Sequence, residues 1–283
     1  MQHVSVVIPV YNRCDLLRRT LLSLASQSLA PCEIIVSDDG SDEDIWATLM
    51  GCVPLLNCSL AYVRQPRKGF RAARTRNNGI HYASHDILVF VDQDIVTTRG
   101  YLARLAQGTG PGTFAVGYPI RLTQRQTACV TDAMIRQGRF GGVVTAQQRG
   151  KVTRQFVKDF FYHHARRHGL MRAARPKLRS GVFGAWREDI LRVDGFDENF
   201  EGWGNEDDDL GRRLYASGVR GRNVCFREFP LHLYHVPHHN GGFRANQAFA
   251  QERIPRILSG EVRASRGLSS TTPEERPNAT WLR

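Results

Sequence analysis

Long apolar runs are missing from this chain of 283 residues. No stretch approaches the roughly 18 consecutive apolar residues of a transmembrane helix. The first residues, MQHVSVVIPVYNRC, also lack the basic and then apolar layout of a signal peptide. Internal repeats and low-complexity tracts are absent as well, which argues against a fibrous or disordered protein. We therefore predict a globular protein of the cytosol.

Paired cysteine motifs are missing too. The six cysteines are scattered through the chain without any C-x-x-C spacing. Neither a disulfide framework nor a zinc site is indicated, because both need cysteines at characteristic spacings. We predict free thiols.

Acidic residues are scarce in one segment only. The chain has a net charge of +12, with 39 Lys and Arg against 27 Asp and Glu. Residues 121–179, called the basic segment below, contain 14 Lys and Arg but 2 Asp and Glu, so the whole excess lies there. A local excess of this kind indicates a surface that meets an anionic partner. Nucleic acid, membrane phospholipid and an acidic or phosphorylated substrate all remain open.

Strand and helix patterns alternate in the first part of the chain. Leucines at helical spacing from Leu16 to Leu24, and a helical pattern from Arg71 to Ala83, separate short apolar runs rich in β-branched residues. These runs, which predict buried strands, are VSVVIPV, CEIIVSDDGS, LAYVRQ and DILVFVDQD. The alternation predicts an α/β fold with a parallel sheet and right-handed crossovers, and the length permits one large domain.

Polar clusters follow three of the predicted strands. They are Asn12-Arg13, Asp38-Asp39-Gly40-Ser41 and Asp92-Gln93-Asp94. Ligands of open α/β sheets bind beyond the carboxyl ends of the strands. We therefore expect the three clusters to converge on one crevice.

The second part of the chain is less regular. GTFAVGYPI predicts a further strand, and Val152, Phe156 and Phe160 predict a basic amphipathic helix that extends to Arg172. A strand with a short helix, a helix that begins at Glu206, and strands in GVRGRNVCF and LHLYHV follow. The tail from about residue 260 is rich in Ser, Pro and charge, and we expect it to be loose.

The DQD motif places two carboxylates close together. Asp92 and Asp94 are two residues apart, so in an extended backbone their side chains lie on one side. Such oxygens suit a hard divalent cation that also binds a diphosphate, such as Mg²⁺ or Mn²⁺. Two solvated aspartates at a strand end are the alternative.

Four histidines lie close together in LHLYHVPHHN: His232, His235, His238 and His239. One of them could complete a metal site with Asp94, because imidazole suits Mn²⁺ and transition metals better than Mg²⁺. Ordinary surface or core histidines are the alternative.

The stretch GWGNEDDDLGRRL places four consecutive carboxylates, Glu206 to Asp209, after a tryptophan between glycines. Acids in the first turn of a helix are favoured by its dipole and unpaired N–H groups, which explains part of the run. Trp203 beside acids is also suited to stack on a sugar ring while a carboxylate accepts a hydroxyl proton. Helical spacing puts Glu206 and Asp209 on one face and Asp207 on another, so their roles must differ.

Five stretches, in order, resemble the family 2 inverting glycosyltransferases of GT-A fold. They are VSVVIPVYNR, VSDDGS, KGFRAARTRNNGI, VFVDQD and GVFGAWREDILRVDGFDENFEGWGNEDDDLGRRL. The GWGxEDDD form is similar to β-1,4-galactosyltransferases and related bacterial hexosaminyl- and galactosyltransferases. The resemblance implies a Rossmann-like, mostly parallel sheet flanked by helices, with a smaller acceptor-side part.

The same resemblance implies a domain plan. Residues 1–118 would form the nucleotide-sugar-binding half, and residues 119–240 the acceptor-binding and catalytic half that contains the basic segment. Residues 241–283 would form a C-terminal helix and the loose tail. We expect one compact GT-A domain.

Binding residues follow from the resemblance. Those bordering the nucleotide sugar would be Pro9, Tyr11, Arg13, Asp39, Gly69, Arg71, Arg76, Asp92 and Gln93. Asp39 would hydrogen-bond the base, and Asp92 would meet the ribose or the metal. Asp94 and His235 would bind Mn²⁺ or Mg²⁺, with His238 as an alternative ligand.

On the acceptor side, Trp203 and Gly204 would contact donor and acceptor, Glu206 the sugar hydroxyls, and Asp207 would be the general base. The implied reaction is a single displacement with inversion. It would move a hexose or N-acetylhexosamine, with galactose-type sugars favoured, from a UDP-sugar to a glycan or lipid-linked acceptor in surface polysaccharide synthesis.

Other functions fit parts of the sequence. A non-catalytic nucleotide-sugar-binding protein could keep the first half, although Asp207 and His235 are both present. A nucleic-acid-binding protein would explain the positive charge, but the basic segment has no recognition motif and the acidic cluster repels phosphate, so we expect no nucleic acid partner. Residues 151–172 would instead contact the anionic cytoplasmic face of a membrane. A solvated basic face over the acceptor cleft, or contact with an acidic glycan, is the alternative.

Overall fold

The computed structural model describes residues 2–170, 175–179, 181–236 and 246–283. The strands are β1 (Val4–Val10), β2 (Glu33–Asp38), β3 (Ser59–Arg64), β4 (Ile87–Val91), β5 (Ile95–Thr97), β6 (Thr113–Val116), β7 (Ile120–Arg121), β8 (Val182–Trp186), β9 (Arg220–Asn223), β10 (Pro230–His232) and β11 (Ala279–Trp281). The helices are α1 (Cys14–Ala25), α2 (Ile45–Cys52), α3 (Ala72–Tyr82), α4 (Tyr101–Gly108), α5 (Gln124–Ala128), α6 (Asp132–Gln137), α7 (Ala146–Arg167), α8 (Arg187–Arg192), α9 (Glu206–Ala216) and α10 (Gln247–Leu258). No helix within these ranges is long and apolar enough to span a bilayer.

The larger sheet has eight strands in the order β11-β3-β2-β1-β4-β8-β6-β9. Strands β3, β2, β1 and β4 pair in parallel, whereas β8 runs antiparallel to both β4 and β6. Helices cover both faces, so the predicted α/β fold with a mostly parallel sheet is confirmed. Because β8 lies between β4 and β6, the two halves of the chain share one sheet.

Apolar side chains fill both faces of this sheet, which explains why the strands have continuous apolar runs. Val6 and Ile8 of β1 pack on one side with Leu21 of α1, and Val7 packs on the other. On that second side, a Cβ on Gly79 would lie 2.3 Å from Val7 Cγ1. The glycine therefore lets α3 approach β1 closely.

A smaller sheet has the order β5-β10-β7. Strand β10 pairs antiparallel with β5, with His232 opposite Ile95, and Leu233 N donates to Asp94 O at 2.9 Å. The strand predicted over LHLYHV is shorter than expected, since it ends at His232. This pairing brings the histidine-rich stretch to the end of β4.

The basic segment contributes to the core as well as to the surface. Val130, Ile135 and Phe140 are buried together beneath the smaller sheet. The predicted amphipathic helix exists as α7, but it ends at Arg167 because Gly169 adopts a left-handed conformation with φ +74°. The expected extension to Arg172 is wrong for residues 168–170, which are not helical, and residues 171–174 lie outside the described part of the chain.

The prediction of a loose tail is wrong. Strand β11 pairs antiparallel with β3, and Leu282 N donates to Leu60 O at 2.8 Å. Leu268 is buried, and the Ser269 hydroxyl donates to Asp194 at 2.7 Å. The polar composition of the tail therefore reflects side chains used in specific hydrogen bonds and ion pairs.

Candidate active site

Three strand ends meet as predicted. The backbone N–H of Tyr11, after β1, donates to Gln93 Oε1 beyond β4 at 2.9 Å, and that of Asn12 donates to Ser41 Oγ beyond β2 at 2.7 Å. Asn12 and Arg13 have φ values of 54° and 61°, which turn the chain sharply at this point. The parallel order β2-β1-β4 explains this convergence.

Gln93 has a supporting position in this crevice. In addition to its contact with Tyr11 N, its Nε2 donates to Tyr11 O at 3.0 Å, and its side chain is buried. The side-chain amide of Gln93 therefore holds the backbone of Tyr11 just beyond the end of β1. The contact between Gln93 and the nucleotide stays a prediction.

Asp39 is buried at the end of β2. It accepts hydrogen bonds from the backbone N–H of Arg71 at 2.7 Å and from Gln65 Nε2 at 2.5 Å. Burial raises the pKa of Asp39, although these hydrogen bonds and the Arg71 guanidinium oppose the rise. Asp39 thus ties the end of β2 to the start of α3.

Asp94 lies against two histidines. Its Oδ2 is 3.0 Å from His235 Nε2, and its Oδ1 is 3.6 Å from His232 Nε2. Arg13 Nη1 is 4.0 Å from the same carboxylate and its Nη2 donates to Val236 O. Burial opposes ionisation of Asp94, but the hydrogen bond from His235 and the charges of His232, His235 and Arg13 hold its pKa below the usual value.

This cluster fits a divalent metal ion. One ligand atom from each of Asp94, His232 and His235 lies within 4.8 Å of the others. Asp94 Oδ1 is buried and accepts no hydrogen bond from the described residues. A carboxylate with two imidazoles suits Mn²⁺ or another transition metal.

The sequence pattern favours His235, whereas the structure also places His232 beside Asp94. The pairing of β10 with β5 explains this position, because it sets His232 opposite Ile95, the residue that directly follows Asp94. His238, the alternative ligand, and His239 lie outside the described residues.

Arg76 connects the two halves of the crevice. Its Nη2 donates to Asp92 Oδ1 at 2.9 Å and its Nη1 to Glu206 Oε1 at 3.3 Å. The side chain is buried, with its guanidinium over the Phe196 ring at 5.4 Å. Burial raises the pKa of Asp92 despite this arginine. Arg76 of α3 therefore links Asp92, which follows β4, to Glu206 in the first turn of α9.

Three residues of the loop before α9 adopt left-handed backbone conformations. Gly202, Gly204 and Asn205 have φ values of 81°, 98° and 77°. The loop is anchored where Gly202 N donates to Phe70 O at 2.8 Å and where Asn246 Nδ2 donates to Gly204 O at 3.0 Å. Trp203, which this loop carries, remains 43% exposed.

The four carboxylates of α9 have four different environments. Glu206 is buried against Arg76, whereas Asp207 is half-buried and accepts a hydrogen bond from Asp208 N at 2.8 Å. Asp208 lies 3.5 Å from Lys177 Nζ. Asp209 is buried and bonded to two arginines of the core. These are Arg213 at 2.6 Å and Arg253 at 3.4 Å. Repulsion within the run is therefore offset by nearby cations, which include Arg76, Lys177, Arg213 and Arg253.

Glu206 should make stability depend on pH. Burial, together with the charge of Asp207, raises its pKa to about 7 although Arg76 opposes this. The stability from neutral Glu206 is fully present below about pH 4.5 and is lost as the pH rises through about 7. Glu206→Gln should therefore gain about 2–3 kcal/mol relative to wild type between pH 5 and pH 8. Urea unfolding in EDTA measures this.

The exposed Glu201 offers a matched control for that measurement. Because its side chain is at the surface, Glu201→Gln should change the free energy of unfolding by less than about 0.5 kcal/mol relative to wild type at pH 5 and at pH 8. Parallel stability curves for wild type and Glu206→Gln would rule out the raised pKa.

Family comparisons agree with this architecture. Residues 5–117 match the family described as glycosyl transferase family 2, and residues 162–239 match the N-terminal domain of galactosyltransferase. The second match begins inside the basic segment, which the sequence resemblance had left uncovered. Among solved structures, S. aureus TarS 1-349 in complex with UDP-GlcNAc has a TM-score of 0.62 at 16% identity, covering 93% of this chain and 68% of that one. GalNAc-T7 with UDP, GalNAc and Mn²⁺ has a TM-score of 0.60 at 15% identity, covering 91% and 48%.

Two curated relatives match most of this chain. Validoxylamine A glucosyltransferase of Streptomyces hygroscopicus subsp. limoneus is 34% identical over 229 residues, 76% of this chain and 48% of the relative. Chondroitin synthase of Escherichia coli is 28% identical over 230 residues, 78% and 33%. The chain thus spans half or less of the length of these relatives.

The fold and the crevice define an α/β protein of the GT-A class. The family matches and the relatives together support its assignment as a family 2 glycosyltransferase.

Proposed function

We propose that this chain is a metal-dependent, inverting hexosyltransferase. It moves a hexose or N-acetylhexosamine, with galactose-type sugars favoured, from a UDP-sugar to a hydroxyl of a glycan or lipid-linked acceptor in surface polysaccharide synthesis. The observation that carries the proposal is the Asp94, His232 and His235 cluster at the same strand ends as the Arg76 bridge to Glu206. The match to a galactosyltransferase domain supports the sugar preference.

The donor would bind along the ends of β1, β2 and β4. Pro9, Tyr11 and Arg13 border this crevice from β1, and the Arg67 guanidinium lies 5.6 Å from the Tyr11 ring centroid. Asp39, from β2, would hydrogen-bond the base through lone pairs that Gln65 and Arg71 leave open. Gly69, Arg71 and Arg76 would line the ribose and diphosphate, and Asp92 would meet the ribose.

Asp94, His232 and His235 would hold Mn²⁺, or alternatively Mg²⁺. An ion held there would supply positive charge to offset the negative charge of a departing diphosphate. Arg13 already lies 4.0 Å from Asp94 and adds a fixed cation at this side of the crevice.

The acceptor would lie against Trp203 and Gly204. Asp207, in the first turn of α9, would take the proton of the acceptor hydroxyl as its oxygen bonds to the anomeric carbon. The bond from that carbon to the diphosphate breaks on the opposite side, so the configuration inverts. Glu206, held by Arg76, would bind the sugar hydroxyls.

A thermal-shift screen tests the donor class directly. A ligand at 100 times its dissociation constant stabilises a protein by about 2.7 kcal/mol, which is readily measured as a higher melting temperature. We expect UDP and UDP-galactose or UDP-N-acetylgalactosamine to stabilise the protein with Mn²⁺ and much less in EDTA. GDP-mannose serves as the control. Equal shifts with UDP and GDP ligands, or none with any of them, would contradict the proposed donor.

A further inference from the structure

A cavity of about 300 Å³ opens between α4, α7 and β9. Three arginines stand around it, namely Arg104 on α4, Arg167 on α7 and Arg222 on β9. Within the described part of the chain, no carboxylate lines it. None of its lining residues belongs to the candidate active site. The cavity therefore favours an anionic occupant.

Among the described residues, no carboxylate neutralises the charges of these arginines. In the ranges that the structure describes, none of the three forms an ion pair with a carboxylate, unlike Arg13 and Arg76 of the candidate active site. The one acid of α7, Asp159, is buried and accepts hydrogen bonds from Gln155 and from Asn223, the latter at 2.8 Å. These hydrogen bonds hold the Asp159 side chain within the fold.

Apolar side chains line the same cavity and continue outside it. The rings of Phe156 and Phe226 contact each other in its wall, with centroids 5.2 Å apart and planes tilted by 31°. Val157, Phe160 and Phe161, which are three and four residues apart on one side of α7, are 59%, 55% and 64% exposed. A contiguous exposed apolar stripe beside a charged cavity indicates an interaction surface, whereas single exposed apolar residues do not.

We propose that this surface binds a membrane containing anionic phospholipid, with a lipid phosphate in the cavity and the α7 stripe in the interfacial layer. Arginine matches phosphate through paired N–H donors, and apolar side chains of an interfacial helix enter the boundary between headgroups and acyl chains. The aliphatic Val157, and Leu170 just after α7 at 79% exposed, favour acyl chains over a soluble polyanion. This surface is distinct from the sugar-transfer site and its binding does not require transfer.

Sedimentation of the full chain with lipid vesicles tests the proposal. We expect binding to vesicles of phosphatidylglycerol and phosphatidylcholine, and none to phosphatidylcholine alone. Since each Arg near an anionic surface contributes about 1 kcal/mol, replacing Arg104, Arg167 and Arg222 together by Gln should weaken partitioning roughly 100-fold. Phe160→Ser with Phe161→Ser should weaken it without any change in charge.

A charge-matched control comes from the basic segment itself. Arg125, Arg136 and Arg139 are exposed and lie outside the cavity, so their replacement by Gln should change partitioning less than about threefold. Equal losses in both triple variants would mean general attraction by charge and would overturn the cavity site. Equal binding to neutral and anionic vesicles would also overturn the proposal. So would a protein that does not bind vesicles but binds an acidic polysaccharide through the arginines of the cavity. Melting temperatures of all variants check that they fold.

Discussion

Replacing Asp207 by Asn should lower kcat for sugar transfer by about 10²–10⁴-fold, the contribution typical of a positioned general base. Asn keeps the shape of the side chain and can still accept the hydrogen bond from Asp208 N. It cannot take a proton from the acceptor hydroxyl. The KM for the nucleotide sugar should change little, because Asp207 is proposed to act on the acceptor. Initial rates with saturating donor and acceptor measure the effect.

Asp208→Asn is the matched control for this experiment. It removes one charge from the same first turn of α9, so the loss of favourable interaction with the helix dipole is similar, about 0.3–1 kcal/mol in each variant. Asp208 faces Lys177 instead of the crevice. Its variant should retain most of the activity. Near-normal transfer by Asp207→Asn, or equal losses in both variants, would remove Asp207 as the base.

Replacing Asp94 by Asn should weaken Mn²⁺ binding by more than about 100-fold, since even a lost partner of a metal ligand costs about 10–100-fold. The variant keeps the volume of the side chain, so the strand end should remain folded. His232→Ala and His235→Ala should each weaken binding as well, because the structure places both ring nitrogens at the same carboxylate. Titration calorimetry with MnCl₂ measures affinity without depending on turnover.

Asp42→Asn provides the control for metal binding. Asp42 lies just beyond β2, which β1 separates from β4, and pairs with Arg67 at 2.7 Å in a solvent-exposed position. Its variant should bind Mn²⁺ as tightly as wild type. Unchanged affinity after Asp94→Asn would show that the ion, if it binds, is held elsewhere. Loss with His235→Ala but not with His232→Ala would restrict the site to the pair expected from the sequence.

Much of the fold follows from local patterns. The runs VSVVIPV and DILVFVDQD predict buried strands because β-branched side chains pack on both faces of a covered sheet, and both strands lie at its centre. The convergence of Arg13, Asp39 and Asp94 was also predictable, since the carboxyl ends of adjacent parallel strands share one edge. The resemblance supplied the proposed roles, which local patterns alone do not reveal.

Other features depended on contacts that no local pattern encodes. Asp209 resembled its three acidic neighbours in sequence, yet it is buried between Arg213 and Arg253 because α10 packs on α9. The polar tail resembled a disordered end, yet β3 offered it an unpaired edge on which β11 forms. Burial of a side chain and pairing of a strand depend on which distant segment of the chain packs against it.

The amino-acid sequence by itself determined the alternating strands and helices, the position of the polar clusters at strand ends and the concentration of positive charge in the basic segment. These depend on periodicity and composition, which act over a few neighbouring residues. Only the tertiary structure decided that His232 joins His235 at Asp94, that Arg76 links Asp92 to Glu206, and that α7 and β9 enclose an arginine-lined cavity. Each of these requires segments far apart in the chain to meet, and that meeting results from the packing of the whole fold.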